Sequence, residues 1–176
     1  AIYADMGGQQ PNTFAQVSMG RLRSIRINMV GELEMPGTFI LPATATAFNA
    51  LYLSGGPANY GSYRNIEIHR DGKLHQTIDI YDFLMKADQS NNLILKSEDV
   101  VFIPIANKRI LVSGEFKRRA FFELKEDESL EDLINFAGGF SESAYTLNVK
   151  IYRKTQEGIN ILDIPFKALK TTTLDD

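Results

Sequence analysis

Two histidines, His69 and His75, stand on either side of Asp71-Gly72. Imidazole is the side chain best suited to proton transfer near neutral pH and a common metal ligand, so their mutual placement decides whether they share a site. Asp-Gly between two alternating runs predicts a two-residue hairpin turn. That turn pairs His69 with Leu74 and His75 with Ile68, and successive pairs point to opposite faces of a ribbon. The imidazoles therefore diverge, and the chain has no cysteine to complete a ligand set. No metal site and no cofactor are expected. Glu32 and Glu115 suggest paired acid–base carboxylates, but they occupy equivalent positions of a repeat described below, which explains both without chemistry. No Gly-x-Ser-x-Gly elbow, Walker loop or Gly-x-Gly-x-x-Gly occurs, so nucleophile and phosphate sites lack their usual frames. The expectation is a protein that is not an enzyme, with no catalytic residue.

What remains is binding chemistry. Lys117-Arg118-Arg119 is a basic run facing Glu34-Met35-Pro36 across the repeat alignment. Residues 107–176 hold 11 Lys and Arg against 12 Asp and Glu, so the run is a local cluster on a near-neutral segment. It reads either as a solvated hairpin tip or as a contact for an anionic polysaccharide or an acidic neighbouring subunit, because fixed positive charge attracts polyanions. Phe48 and Tyr52 lie on one side of a short helical stretch where the second repeat has Glu131 and Asn135. They read as a contact with a neighbouring domain or as a sugar-stacking platform.

The elements that carry these residues come as a duplication. Residues 27–41 reappear 83 residues later, with Val30-Gly31-Glu32 matched by Ser113-Gly114-Glu115. At the same offset Gly55-Gly56 returns as Gly138-Gly139, Asn65 as Asn148, Ile68 as Ile151 and Arg70 as Arg153. Repetition at fixed spacing outranks other sequence signals. It divides the chain into a lead-in over residues 1–23, a first repeat over 24–106 and a second over 107–176. In the lead-in, Gly7-Gly8 precedes no helix that could hold a phosphate, so residues 1–20 read as irregular.

In the first repeat, Ile25, Ile27 and Met29 alternate with Arg26 and Asn28, which predicts a half-buried strand. Gly31 and Gly114 interrupt the first strand of each repeat and mark a bulge or a close backbone approach. Pro36-Gly37 predicts a type II reversal into a second strand. Residues 46–54 predict a helix stopped by Gly55-Gly56-Pro57. Ser129-Leu130-Glu131-Asp132 resembles a capping box for its counterpart, with Thr46 in the matching position. The Asp71-Gly72 hairpin follows, then a short helix over 81–87, matched by 165–170. Residues 93–104 close the first repeat with two β-stretches. The second repeat has no counterpart before Asp176, so an open sheet edge is expected there, and the chain is read as a piece of a longer or processed protein.

Bulk properties narrow the partners. A net charge of −3 with no basic stripe argues against nucleic acid. No apolar run approaches the roughly 18 residues that span a bilayer. Repeats of roughly 80 residues bury modest cores, so packing between them matters. The fold class expected is α+β.

The order strand, Gly-Glu, Pro-Gly, strand, short helix, Gly-Gly, hairpin resembles the soluble ligand-binding β-grasp (SLBB) repeat. The likeness is carried by Val30-Gly31-Glu32, Met35-Pro36-Gly37, Ala50-Leu51, Ser54-Gly55-Gly56 and Asp99-Val100-Val101-Phe102-Ile103-Pro104. In the second repeat it rests on Ser113-Gly114-Glu115, Leu133-Ile134 and Ala137-Gly138-Gly139. Arg118-Arg119-Ala120 replaces the Pro-Gly turn there, so that turn must differ in shape. Tandem repeats of this kind resemble those of bacterial outer-membrane polysaccharide export proteins. The resemblance implies two tandem β-grasp domains in a periplasmic, outer-membrane-associated protein. It further implies polysaccharide as cargo, other copies of the chain in a ring, and inner-membrane export machinery as partners. The competing expectation is a stand-alone module that binds a glycan or small ligand.

Overall fold

The computed structural model describes residues 23–172 and residue 174. The fold is α+β. The first repeat opens with β1 (Ser24–Gly31) and β2 (Gly37–Pro42), antiparallel, with Ile25, Ile27 and Met29 buried as their alternation requires. The reversal between them is not made by Pro36-Gly37. Gly37 is already laddered to Met29, and the intervening residues form a wider loop tied to the next helix by Glu34 N–H to Gly56 O and Met35 N–H to Ser54 O. Backbone groups that a tight turn would pair within itself are satisfied here by the helix end.

Helix α1 (Ala47–Leu53) begins at a capping box in which Thr46 and Asn49 satisfy each other's backbone N–H groups. It buries Ala47, Ala50 and Leu51 on the sheet. β3 (Ile66–Arg70) and β4 (Lys73–Ile78) form the hairpin around Asp71-Gly72. A bulge between Ile68 and His69 places Gln76, not His75, opposite Ile68, so the register read from the two-residue turn holds only for His69 and Leu74. His69 meets Glu67 at 2.7 Å, and His75 lies 3.1 Å from the Arg70 guanidinium. Helix α2 (Ile80–Lys86) starts at Asp79, whose carboxylate accepts from Tyr81 N–H.

Of the two closing β-stretches, the first amounts to an isolated bridge between Ile94 and Thr46, and the second is β5 (Val100–Ile103). β5 runs parallel to β1 and antiparallel to β3, giving the sheet order β2-β1-β5-β3-β4. The last strand of the first repeat is thus the middle one of its sheet, and Ile27, Met29, Ile66, Ile68, Val101 and Ile103 close the core around it. Arg70 grips Asp99 just ahead of β5 through two bonds of 2.8 and 2.7 Å.

The second repeat comprises β6 (Arg109–Leu111), β7 (Phe121–Glu123), α3 (Leu130–Phe136), β8 (Asn148–Thr155), β9 (Gly158–Pro165) and a 3-10 helix (Phe166–Thr171). Ser129 caps α3 in a capping box with Asp132. Among the described residues β6 pairs only with β7 and β8 only with β9. The expected open edge is therefore a different feature. Among the described residues no strand joins these two hairpins as β5 joins β1 and β3. Gly31 and Gly114 record this difference. Both hold φ near +90°, but a Cβ on Gly31 would sit 2.1 Å from Ile103 O, whereas one on Gly114 would meet nothing within 4 Å.

The core of the second repeat is completed from outside it. Val112, Phe122, Leu124, Leu130, Leu133 and Ile134 gather with Tyr81 and Met85 of α2. α2 thus serves both repeats, which is how domains of this size supplement a small core.

Candidate functional site

The residues singled out by sequence do not form one site. Phe48 turns inward, its ring centroid 4.7 Å from that of Phe83 on α2. Tyr52, one turn on, is 87% exposed and borders a shallow cavity of about 330 Å³ with Leu41, Pro42, Asn49 and Leu53. The basic run is also divided. Arg118 reaches across to Met85, with Nη1 3.9 Å from the sulfur, and Arg119 stands 3.6 Å from Glu115 on its own loop. Backbone bonds from Lys117 N–H to Gly139 O and Arg118 N–H to Ala137 O fix this loop on the end of α3. Lys117, Arg118 and Arg119 are all exposed on this loop.

The most elaborate polar constellation lies between the repeats. The side chain of Arg64 is 6% exposed and that of Asp79 is 9% exposed. Arg64 donates from Nε and Nη2 to Asp79 at 3.1 and 3.0 Å, and from Nη1 to Glu128 and to Glu123 O. Its guanidinium lies 4.6 Å from the Tyr81 ring centroid and 5.3 Å from that of Phe136. A planar, delocalised cation suits both the carboxylates and the ring faces. Lys125 adds a 2.7 Å bond to Asp79. Glu123 accepts from Ser62 Oγ at 2.7 Å and Tyr63 N–H at 2.8 Å, and its own N–H donates to Tyr81 Oη at 2.9 Å.

These bonds join residues 62–64 and α2 of the first repeat to β7 and residues 124–128 of the second. Among the described residues every buried side-chain nitrogen or oxygen has a partner. No group of three His, Asp or Glu among the described residues is placed to hold a metal. What the arrangement does is mechanical: it fixes one repeat on the other.

The arrangement of the two repeats agrees with a family assignment. The SLBB domain model matches residues 26–78 and again 109–162. The chain belongs to the SLBB family. No curated protein matches it. An SLBB domain is a soluble ligand-binding β-grasp module, and here two stand in tandem.

Sequence reading missed the SLBB–SLBB junction because Arg64, Asp79, Glu123 and Glu128 are ordinary surface residue types. One signal was available. At the repeat offset Arg64 becomes Leu147, Glu123 corresponds to Ile40 and Glu128 to Ala45. Charge confined to one member of each equivalent pair marks a position whose environment differs between repeats.

Burial pushes the Asp79 carboxyl up, but hydrogen bonds from Arg64 and Lys125 together with the Arg64 charge outweigh it and hold the group below its ordinary value. A depressed folded value means that Asp79 contributes stability above the unfolded value of about 3.9, and that this contribution is lost as pH falls through the folded value. Urea unfolding at stepped pH is therefore expected to show a loss of stability setting in below about pH 4. Asp79→Asn should flatten that dependence; an unchanged slope in the variant would assign acid sensitivity elsewhere.

Proposed function

We propose that this tandem is the periplasmic part of a polysaccharide export protein, in which SLBB domains act as scaffold for a ring or conduit that carries capsule or exopolysaccharide across the outer membrane. The role is non-enzymatic, with other copies of the chain and inner-membrane export machinery as partners. The observation that carries this reading is the buried junction, since a fully satisfied charge network holding two domains together serves a rigid structural element. A mobile ligand clamp would need that interface to open. The competing reading, a stand-alone module for a glycan or small ligand, draws on the shallow cavity beside Tyr52.

The two readings separate in an amide NMR titration of the chain with an acidic capsular oligosaccharide. Shifts clustered on residues 117–120 would support direct glycan handling by the scaffold. Their loss in the Lys117→Ser, Arg118→Ser, Arg119→Ser triple variant, with binding weakest at high salt, would identify the charge responsible. Saturable shifts around Tyr52 would instead favour the ligand-binding module. An absence of shifts at millimolar sugar would leave scaffolding without sugar contact.

A further inference from the structure

Alternation along the β6–β7 ribbon sorts its side chains into two faces. Ile110 and Phe122 join the core of the second repeat, so Arg109, Leu111, Phe121 and Glu123 stand on the other face. Glu123 is covered there by the first repeat, with Ser62 Oγ and Tyr63 N–H taking one carboxylate oxygen each. Phe121, two residues earlier, is left 55% exposed. Beside it Asn59, Tyr60, Asn107 and Arg109 complete the lining of a cavity of about 310 Å³.

This cavity belongs to neither repeat alone. Asn59 and Tyr60 come from the first, Arg109 and Phe121 from the second, and Asn107 from the segment leading into β6. Its walls are pinned through the backbone. Ala106 N–H donates to Tyr60 O and Ser62 N–H to Pro104 O, both at 2.8 Å. Gly61 allows this close packing, because a Cβ there would sit 2.2 Å from Glu32 O. A site whose walls are already fixed loses little freedom on binding.

The lining has the chemistry of recognition. The Arg109 guanidinium lies 4.9 Å from the Phe121 ring centroid and donates from Nη1 to Asn59 O. These contacts hold its plane without cancelling its charge. At the repeat offset Arg109 corresponds to Arg26, which meets Glu98 at 2.9 Å. Arg109 has no carboxylate partner among the described residues, and Glu123, opposite it in the ladder, is engaged by Ser62 and Tyr63. Phe121 corresponds to Thr38 and Tyr60 to Ser143, so the aromatic pair is peculiar to this place. Tyr60 is 68% exposed.

We propose that this cavity binds an acidic sugar unit, a pyranose bearing a carboxylate. Arg109 takes the carboxylate through Nε and Nη2, a geometry for which a guanidinium is suited. The aromatic faces carry negative quadrupole charge and take the polarised C–H face of the ring. The amides of Asn59 and Asn107 can both donate to and accept from hydroxyls. The volume lies at the lower end of the range for small-molecule sites, about 300–1,000 Å³, which suits one sugar unit of a chain that continues past the exposed rings. The inference rests on the export reading for its class of ligand and gives that ligand a contact apart from Tyr52 and from residues 117–120.

Amide NMR titration of the full chain with digalacturonate, and separately with its neutral methyl ester, tests it. Saturable shifts are expected at Asn59, Tyr60, Asn107 and Phe121, with the acid bound more tightly than the ester. Arg109→Gln keeps a donor for Asn59 O and should weaken the acid about tenfold or more while leaving the ester unchanged. Phe121→Thr, which copies the first repeat, should weaken both about three- to tenfold. Tyr60→Ser, which copies the second, should act in the same direction. Circular dichroism checks that the variants remain folded. No saturable shifts at these residues, an ester bound as tightly as the acid, or unchanged acid affinity in Arg109→Gln or Phe121→Thr would each overturn the proposal. Shifts confined to residues 117–120 would strike this site and leave the export reading standing. Shifts here together with shifts around Tyr52 would keep this site while favouring the stand-alone module over export.

Discussion

Arg64→Ala is expected to destabilise the chain by about 3–5 kcal/mol, the range for removing one partner of a buried charge network. The loss is large because the carboxylates remain. Asp79 keeps Lys125, but Glu128 loses its Arg64 partner and Glu123 O loses a donor in the same buried space. The stack of guanidinium on Tyr81 and Phe136 also disappears. Because the contacts with Glu123, Glu128 and Phe136 cross between repeats, the variant should unfold in two steps where the parent unfolds in one. Urea denaturation followed by circular dichroism reads both effects. Arg26→Ala is the control: its pair with Glu98 is exposed, and such pairs contribute at most about 1 kcal/mol. A single transition shifted no further than in that control would show that the junction does not couple the domains. Arg64→Lys should recover only part of the loss, since an ammonium cannot serve both carboxylates and lie flat on the rings.

The second large effect contrasts two glycines that the repeat makes equivalent. Gly31→Ala places a methyl group 2.1 Å from Ile103 O in a residue with φ +94°. The left-handed conformation alone costs about 1–2 kcal/mol for an L side chain, and overpacking against backbone adds about 1–3 kcal/mol. Relief would require β1 and β5 to separate, which breaks the middle of the sheet. Gly114→Ala meets the same conformational cost at φ +91° but no neighbour within 4 Å, so about 1–2 kcal/mol is expected. Urea midpoints for the two variants decide the matter. Equal losses would mean that the close approach at Ile103 is not what makes Gly31 necessary.

The sequence disclosed what is local. Thr46 and Ser129 announced their helices because a hydroxyl N-cap acts within one turn, and Ile25, Ile27 and Met29 announced their face because alternation is a property of a single strand. The failures involve partners distant along the chain. Pro36-Gly37 has the composition of a reversal, but the loop ahead of it bonds instead to the end of α1, from Glu34 to Gly56 and from Met35 to Ser54. The residues 100–103 were legible as a strand and their place between β1 and β3 was not, since position in a sheet is set by pairing. The candidate site shows the same division. Phe48 was recognised as an aromatic contact, while the partner it meets, Phe83, belongs to α2 of the same repeat. Arg64 and Asp79 lie 15 residues apart and acquire meaning only when Lys125 and Glu128 arrive from the other repeat.

The sharing of α2 between the two cores imposes an order of events on the folding chain. The first repeat owns a continuous five-stranded sheet and a core drawn from its own residues, so it can collapse without waiting for anything downstream. The second has two separate hairpins, and its apolar cluster includes Tyr81 and Met85. Until α2 is formed and presents those side chains, the second repeat's apolar cluster stays incomplete. Synthesis proceeds in the matching direction, and domains generally fold as units from the N-terminal end. The first repeat is therefore a template as well as a neighbour, and the chain assembles by growth upon it.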